Sequence, residues 1–124
     1  MNSILLIEDD PFLVDIYTTK LKEAGFEVDV AGNGEVGLKN LEEKRPDLVL
    51  LDIVLPHFDG WEVLKKIKET DALKGIPVVV LSNLGQDTEV QKGLDLGAAK
   101  YLVKAHYTPS EVAQEVSKIL NLKS

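Results

Sequence analysis

Short apolar runs alternate with longer amphipathic segments along the whole chain, and this alternation restricts the fold more than any other feature. Parallel strands need a crossover connection, usually a helix, so the alternation predicts βα units around a parallel sheet. The predicted strands are Ser3–Ile7, Phe26–Val30, Asp47–Leu51, Val78–Leu81 and Ala99–Val103. With five intervening helices, they predict an α/β fold: a doubly wound five-stranded parallel sheet with helices on both faces.

Capping residues mark the predicted helix ends. Asp10 followed by Pro11 has the pattern of an N-cap and a first-turn proline. The other boundary signals are Gly25, Asn33-Gly34, Pro46, a capping box at Asp59 and Glu62, a short helix over Asp87–Leu96 closed by Gly97, and Thr108-Pro109-Ser110-Glu111.

Composition bounds the class of protein. The 124 residues, 44% hydrophobic and 28% charged, have the size and balance of one globular domain, predicted to span residues 1–124. A formal net charge of −7 repels nucleic acid and anionic membranes, so neither is expected as a direct partner. The chain has no cysteine, no signal-peptide pattern at its start and no apolar run of membrane-spanning length. These features predict a cytoplasmic location.

Polar side chains stand where four of the apolar runs end. Ligand sites of open parallel sheets lie at the carboxyl ends of the strands, so these side chains are expected to converge at one edge. They are Glu8-Asp9-Asp10 after the first strand, Asp52 after the third, Ser82 at the end of the fourth and Lys104 after the fifth. Carboxylates, a hydroxyl and an ammonium together suit a divalent cation and a phosphoryl group.

Asp52 is the candidate nucleophile, because a carboxylate can form an aspartyl-phosphate. The competing interpretation is a turn residue, which is the commoner role of Asp after a strand. A carboxylate that approaches an anionic phosphoryl group needs positive charge nearby, and Mg²⁺ with its preference for oxygen ligands supplies it. Glu8 and Asp9 are the candidate ligands, although such acids also occur as solvated residues at a helix N-terminus, a role assigned here to Asp10.

Lys104 and Ser82 complete the candidate site. Lys104 would neutralise a phosphoryl oxygen as a point charge, and the Ser82 hydroxyl would donate a hydrogen bond to one. The alternatives are a surface lysine and a turn cap. Each residue alone is weak evidence, whereas their joint placement at strand ends of one sheet is a strong signal.

Three segments together resemble the receiver domain of two-component response regulators, of the chemotaxis-regulator type. They are Ile4–Asp10, Asp47–Gly60 with Asp52 at its centre, and Gly97–Lys104. The resemblance covers essentially the whole chain. It implies a flavodoxin-like fold with strand order 2-1-3-4-5.

The resemblance also implies roles for individual residues. Asp52 would accept a phosphoryl group from a phosphohistidine of a sensor histidine kinase or a histidine phosphotransfer protein. Asp9, Asp52 and the main-chain carbonyl of Val54 would bind Mg²⁺, with Glu8 acting through a water. Lys104 would pair with the phosphoryl group.

A conformational switch is implied as well. Ser82 would shift toward the phosphoryl group, and the side chain of Tyr101 would follow it. The surface of the fourth helix, fifth strand and fifth helix would then report the state to a downstream protein target or an output domain, or form a homodimer. The extra contacts of a phosphorylated aspartate would shift an equilibrium between two existing conformers.

Three positions depart from the pattern of the family. Ala105 stands where proline often follows the lysine in a cis peptide. A non-proline cis bond costs roughly 2.5–4 kcal/mol, so a trans Lys104–Ala105 bond is predicted, or else a strained cis one. Asn83 replaces a small residue, which should narrow access to Asp52 and would offer the phosphoryl group a hydrogen bond. Ser82 replaces the more frequent threonine.

Two other functions compete with the switch. A phosphohydrolase with an aspartyl-phosphate intermediate usually carries a second acid two residues after the nucleophile, where this chain has Val54. A phosphorylation-independent interaction module would be favoured by a missing acid or lysine, and none is missing. The chain is therefore predicted to catalyse its own phosphorylation and dephosphorylation and to be no enzyme otherwise.

Overall fold

The computed structural model describes residues 2–57 and 59–123, and it contains one five-stranded parallel sheet in the order β2-β1-β3-β4-β5. Phe58 of the segment Asp47–Gly60 lies outside the described residues. The strands are β1 (Ser3–Ile7), β2 (Glu27–Ala31), β3 (Leu48–Leu51), β4 (Val78–Ser82) and β5 (Lys100–Val103). The helices are α1 (Pro11–Glu23), α2 (Gly34–Lys44), α3 (Gly60–Glu69), α4 (Asp87–Asp95) and α5 (Pro109–Lys123). The predicted α/β class, strand number and strand order are confirmed.

The side-chain alternation of each strand divides the core into two layers. Successive strand residues point to opposite faces, so Ile4 and Leu6 of β1 lie in the layer that α1 and α5 cover, and Leu5 and Ile7 lie in the layer that the other three helices cover. Burying one Leu or Ile side chain stabilises the fold by about 1.5–3 kcal/mol. Helices therefore cover both faces of the sheet, as the near-continuous apolar strands predict.

The helix N-termini are closed by side chains. The Asp10 carboxylate accepts the Phe12 amide at 2.9 Å, and the Thr108 hydroxyl and Glu111 carboxylate form a reciprocal capping box with distances of 3.1 and 2.9 Å. Each cap satisfies amides that have no partner inside the helix. Among the described residues, no helix combines the length and the apolar composition needed to cross a bilayer.

Some boundaries differ from the predicted ones, for identifiable reasons. β2 begins at Glu27 because the Phe26 amide still donates to the Leu21 carbonyl, at 3.1 Å, and so closes α1. β3 begins at Leu48, whereas the carboxylate of Asp47 accepts the Ser3 amide at 2.7 Å. After β5 the chain makes a 3₁₀ turn over Lys104–His106, which the sequence did not indicate.

Candidate functional site

Strand register brings the polar strand ends to one edge of the sheet. Ile7 pairs with Leu51, and the Asp52 amide donates to the Ile7 carbonyl at 3.0 Å, so Glu8 and Asp52 leave the sheet side by side. Ser82 pairs with Val103, the residue before Lys104. The predicted convergence is therefore present in the backbone.

Glu8, Asp9 and Asp52 form a cluster of carboxylates. One carboxylate oxygen of each lies within 4.8 Å of the others. Glu8 and Asp52 are buried and Asp9 is exposed, so the cluster opens to solvent on one side. Three carboxylates this close repel one another unless a cation lies between them, and an all-oxygen donor set suits Mg²⁺.

Lys104 bridges the two buried carboxylates. Its Nζ donates to Oε1 of Glu8 at 2.7 Å and to Oδ2 of Asp52 at 2.9 Å, and its side chain is 10% exposed. The remaining oxygens of both acids accept main-chain amides, from Asp10 to Glu8 and from Val54 to Asp52, each at 3.1 Å. Each carboxylate oxygen of Asp52 therefore accepts one hydrogen bond, and the two bonds fix the orientation of the side chain.

Burial and pairing act in opposite directions on the charges of this cluster. Burial raises the pKa of Glu8, although the hydrogen bond from Lys104 opposes the shift. For Lys104, burial is the largest single influence and lowers the pKa, but the hydrogen bonds to Glu8 and Asp52 together outweigh it. The pKa of Lys104 is therefore raised, and its ammonium stays charged at neutral pH.

Ser82 and Tyr101 meet at one residue of the loop between β4 and α4. The buried Ser82 hydroxyl accepts the amide of Leu84 at 3.2 Å, and the Tyr101 hydroxyl donates to the carbonyl of Leu84 at 2.6 Å. Leu84 is thus held at both of its main-chain polar groups. The ring of Tyr101 is 8% exposed, and burial raises the pKa of its phenol.

A family model of the response regulator receiver domain matches residues 4–117. The chain belongs to this family. The resemblance drawn from the three sequence segments is therefore confirmed for nearly the whole chain.

Individual proteins agree with the family match. This receiver domain is 44% identical over 104 residues to the transcriptional regulatory protein AfsQ1 of Streptomyces coelicolor. The aligned region covers 84% of this chain and 45% of AfsQ1. A putative response regulator from Chloroflexus aurantiacus J-10-fl superposes with a TM-score of 0.90 at 29% identity, over 97% of this chain and 98% of the other. The Mn²⁺-bound form of the response regulator Rcp1 superposes with a TM-score of 0.86 at 30% identity, over 95% of this chain and 93% of Rcp1.

The curated relatives are longer than this chain. The chain spans about half the length of the curated relatives it matches, between 45% and 48% for AfsQ1 and two further regulators. Those three relatives are transcriptional regulators.

The remaining predicted site residues lie where the sequence placed them. Val54 follows Asp52 by two positions and donates its amide to Asp52, while its side chain is exposed. Asn83 is exposed directly after β4. The Lys104–Ala105 peptide bond is trans, the first of the two alternatives that the sequence left open. A metal contact by the Val54 carbonyl and a restriction of access by Asn83 stay predictions.

Leu13, Tyr17, Leu21 and Ala24 recur at helical spacing, which predicts a core-facing stripe on α1 and gives no sign that Tyr17 is near the site. Tyr17 is buried, burial raises its pKa, and the charges of Lys104, Glu8 and Asp52 act on its hydroxyl. The phenol therefore lies within electrostatic range of the charged cluster. The only signal for this in the sequence is a hydroxyl-bearing residue in an otherwise apolar stripe.

A groove of about 710 Å³ adjoins the cluster on the side of α1 and β2. Its lining includes Glu8 and Asp9 together with the apolar side chains of Phe12 and Val30. Phe12 is 72% exposed, an unusual environment for a phenylalanine on a helix. The carboxylates can thus be approached across a surface that is partly apolar and partly acidic.

Proposed function

We propose that this receiver domain is a phosphorylation-activated signalling switch in which Asp52 accepts a phosphoryl group from a phosphohistidine of a sensor histidine kinase or histidine phosphotransfer protein. The observation that carries the proposal is the cluster of Glu8, Asp9 and Asp52, with the Lys104 ammonium 2.9 Å from Oδ2 of Asp52. The family supplies the class of function, and the cluster supplies the acceptor.

The transfer exchanges one bond to phosphorus for another. A carboxylate oxygen of Asp52 attacks the phosphorus atom, the bond from phosphorus to the imidazole nitrogen breaks, and the departing imidazole takes up a proton. Lys104 keeps positive charge beside the oxygens that carry the phosphoryl group, and the Ser82 hydroxyl is available as a donor. Orientation and charge, more than proton transfer, are what this chain contributes.

The donor set fits Mg²⁺, because three carboxylates with no sulfur or imidazole among them favour a hard cation. Glu8, Asp9, Asp52 and the main-chain carbonyl of Val54 would hold the ion, which when bound neutralises negative charge on the phosphoryl group. That Rcp1 binds Mn²⁺, another divalent cation, supports this assignment. Asp9 is the exposed member, so it leaves the site open to exchange with solvent.

The transmission of the signal from Asp52 to the surface of α4, β5 and α5 depends on the main chain of Leu84. A phosphoryl group on Asp52 adds about −1.5 to −2 charges and three acceptor oxygens, which draw the Ser82 hydroxyl toward them. The Leu84 amide then loses its acceptor, and the loop that also holds the Tyr101 hydroxyl is released. The surface of α4, β5 and α5 would report this change to a protein target, to an output domain or to a second copy of the chain.

Intact mass after incubation with acetyl phosphate and Mg²⁺ tests the proposal. Wild type is expected to gain one phosphoryl group and Asp52→Asn none. Asp59→Asn is a matched control, because Asp59 is an exposed acid that caps α3 and asparagine caps helices equally well. Uptake by Asp52→Asn, or none by wild type, would overturn the assignment. Absence of uptake would favour the interaction module, and steady turnover of phosphate esters would favour the phosphohydrolase.

A further inference from the structure

Gly60, the first residue of α3, lies against the main chain that carries Asp52. A Cβ atom built on Gly60 would lie 2.5 Å from Cα of Ile53 and 3.1 Å from the carbonyl carbon of Asp52, and it would be closest to the Asp52 carbonyl oxygen. Carbon atoms in contact are normally about 3.5–4.0 Å apart. All three atoms belong to the main chain, so no rotation of a side chain can make room for a Cβ atom at this position.

The conformation of the backbone gives no other reason for glycine here. Among the described glycines, only Gly25 and Gly97 have the positive φ that other residues avoid. Alanine favours a helix more than glycine does, by up to about 1 kcal/mol. The absence of a side chain at Gly60 is therefore explained by the close approach of α3 to the peptide between Asp52 and Ile53.

Neither side of this contact is free to move away. The Asp52 amide donates to the Ile7 carbonyl at 3.0 Å, and the Ile53 side chain is buried. α3 is anchored in the core by three fully buried side chains, those of Val63, Leu64 and Ile67. A methyl group at Gly60 would therefore have to displace either the peptide after Asp52 or the first turn of α3.

The same contact closes the loop between β3 and α3. The Gly60 amide donates to the Ile53 carbonyl at 2.8 Å, and a displacement of either side lengthens this hydrogen bond. Val54 is the next residue of the loop, and its amide donates to Oδ1 of Asp52 at 3.1 Å. The main chain of Val54 is therefore held between the Asp52 carboxylate and the closure at Gly60.

We propose that Gly60 is a positioning residue, whose missing side chain lets α3 close this loop and so holds the Val54 main chain in place to bind a divalent cation. The inference rests on the proposed metal site, in which the Val54 carbonyl is a ligand together with Glu8, Asp9 and Asp52. Altering a group that orients a metal ligand without touching the metal typically changes the metal affinity by about 10–100-fold. Gly60 acts on the ion in this way, through Val54.

Mn²⁺ binding to Gly60→Ala tests the proposal. The dissociation constant, measured by EPR from the concentration of free Mn²⁺, is expected to rise about tenfold or more over wild type. Gly37→Ala is the matched control, because a Cβ there would meet Cδ1 of Ile7 at 2.5 Å and so crowds the core without touching the loop between β3 and α3. Unchanged affinity in Gly60→Ala, or an equal loss in both variants, would show that Gly60 does not position the ligand.

Amide hydrogen exchange in the wild type is a second test, which does not depend on whether Gly60→Ala folds. Coupling is reciprocal, so if closure at Gly60 strengthens cation binding, saturating Mg²⁺ must slow exchange of the Gly60 amide by a similar factor. The Gly37 amide, which donates to the Asn33 carbonyl at 3.1 Å at the start of α2, is the reference. Binding of Mg²⁺ without slower exchange at Gly60 relative to Gly37 would overturn the proposal.

The metal site and the role of Gly60 can fail separately. If wild type binds neither Mn²⁺ nor Mg²⁺, the proposed metal site is wrong. Exchange of the Val54 amide in metal-free protein then decides the role of Gly60. It is expected to be faster in Gly60→Ala than in wild type, because the hydrogen bond from Val54 to Asp52 is disturbed. Equal exchange rates would mean that Gly60 does not hold Val54.

Discussion

Lys100 begins β5 and Lys104 directly follows it, and both form ion pairs of similar length. Lys100 Nζ lies 2.8 Å from Glu115 Oε2 on the surface of β5 and α5, and the Lys100 side chain is 42% exposed. Lys104 Nζ lies 2.7 Å from Glu8 and 2.9 Å from Asp52, and the Glu8 side chain is only 2% exposed. The contacts are alike in chemistry and distance but differ in burial.

Burial decides what each pair does for the molecule. An exposed pair contributes roughly 0–1 kcal/mol, because water screens it and ordering two long side chains costs entropy. A buried group of charges has already lost several kcal/mol of hydration per ion, so it is tolerable only while every partner is present. The stability of the Lys104 cluster therefore depends on which charged groups are present, including a bound cation or a phosphoryl group, whereas the exposed Lys100 pair contributes little to stability.

Lys104→Met in metal-free buffer should have the largest effect on stability. The substitution keeps most of the apolar stem but leaves the carboxylates of Glu8 and Asp52 buried without their shared ammonium. The free energy of unfolding in urea is expected to fall by about 3 kcal/mol. Lys100→Met is the matched control, with an expected loss below about 1 kcal/mol. Equal losses for the two variants would show that burial does not separate the pairs.

Asp9→Asn should have a smaller effect of opposite sign. It removes one of three mutually repelling carboxylates without touching Lys104, so metal-free protein is expected to gain about 1 kcal/mol. Added Mg²⁺ should stabilise wild type in proportion to its occupancy and stabilise the variant much less. Asp10→Asn is the control, because it removes the same charge one residue away and keeps the α1 cap. A gain of similar size in Asp10→Asn would assign the effect to net charge alone.

The site was predictable to the extent that it depends on strand ends. The sequence places a polar group after each of these apolar runs and indicates a parallel sheet. These two features were sufficient to predict that Glu8, Asp52 and Lys104 lie close together, because the strand register fixes the level at which neighbouring strands end. The strands themselves were predicted to within one residue at each end, apart from local effects such as the Phe26 amide that still closes α1.

The readout region was not predictable in the same way. The Leu84 main chain joins Ser82 to Tyr101, and Gly93 meets the Tyr101 ring, only through packing between a loop, a strand and a helix. Apolar periodicity reports which face of a helix is buried but not which atom it touches. Tyr17 illustrates the same limit, because its periodicity identifies a core position and gives no indication that the charges of the cluster act on its hydroxyl.

Glu115→Gln should have the smallest effect and a distinct pH dependence. The hydrogen bond from Lys100 lowers the pKa of Glu115 in the folded protein. Its stabilisation is therefore fully present above the unfolded-state pKa of about 4.3 and is lost as the pH falls through the lower folded-state pKa. Urea unfolding should show wild type more stable than Glu115→Gln by about 0.5 kcal/mol at neutral pH, and less so in high salt. A difference that grows on acidification would reverse the sign expected for this pair and would remove the contrast between Lys100 and Lys104.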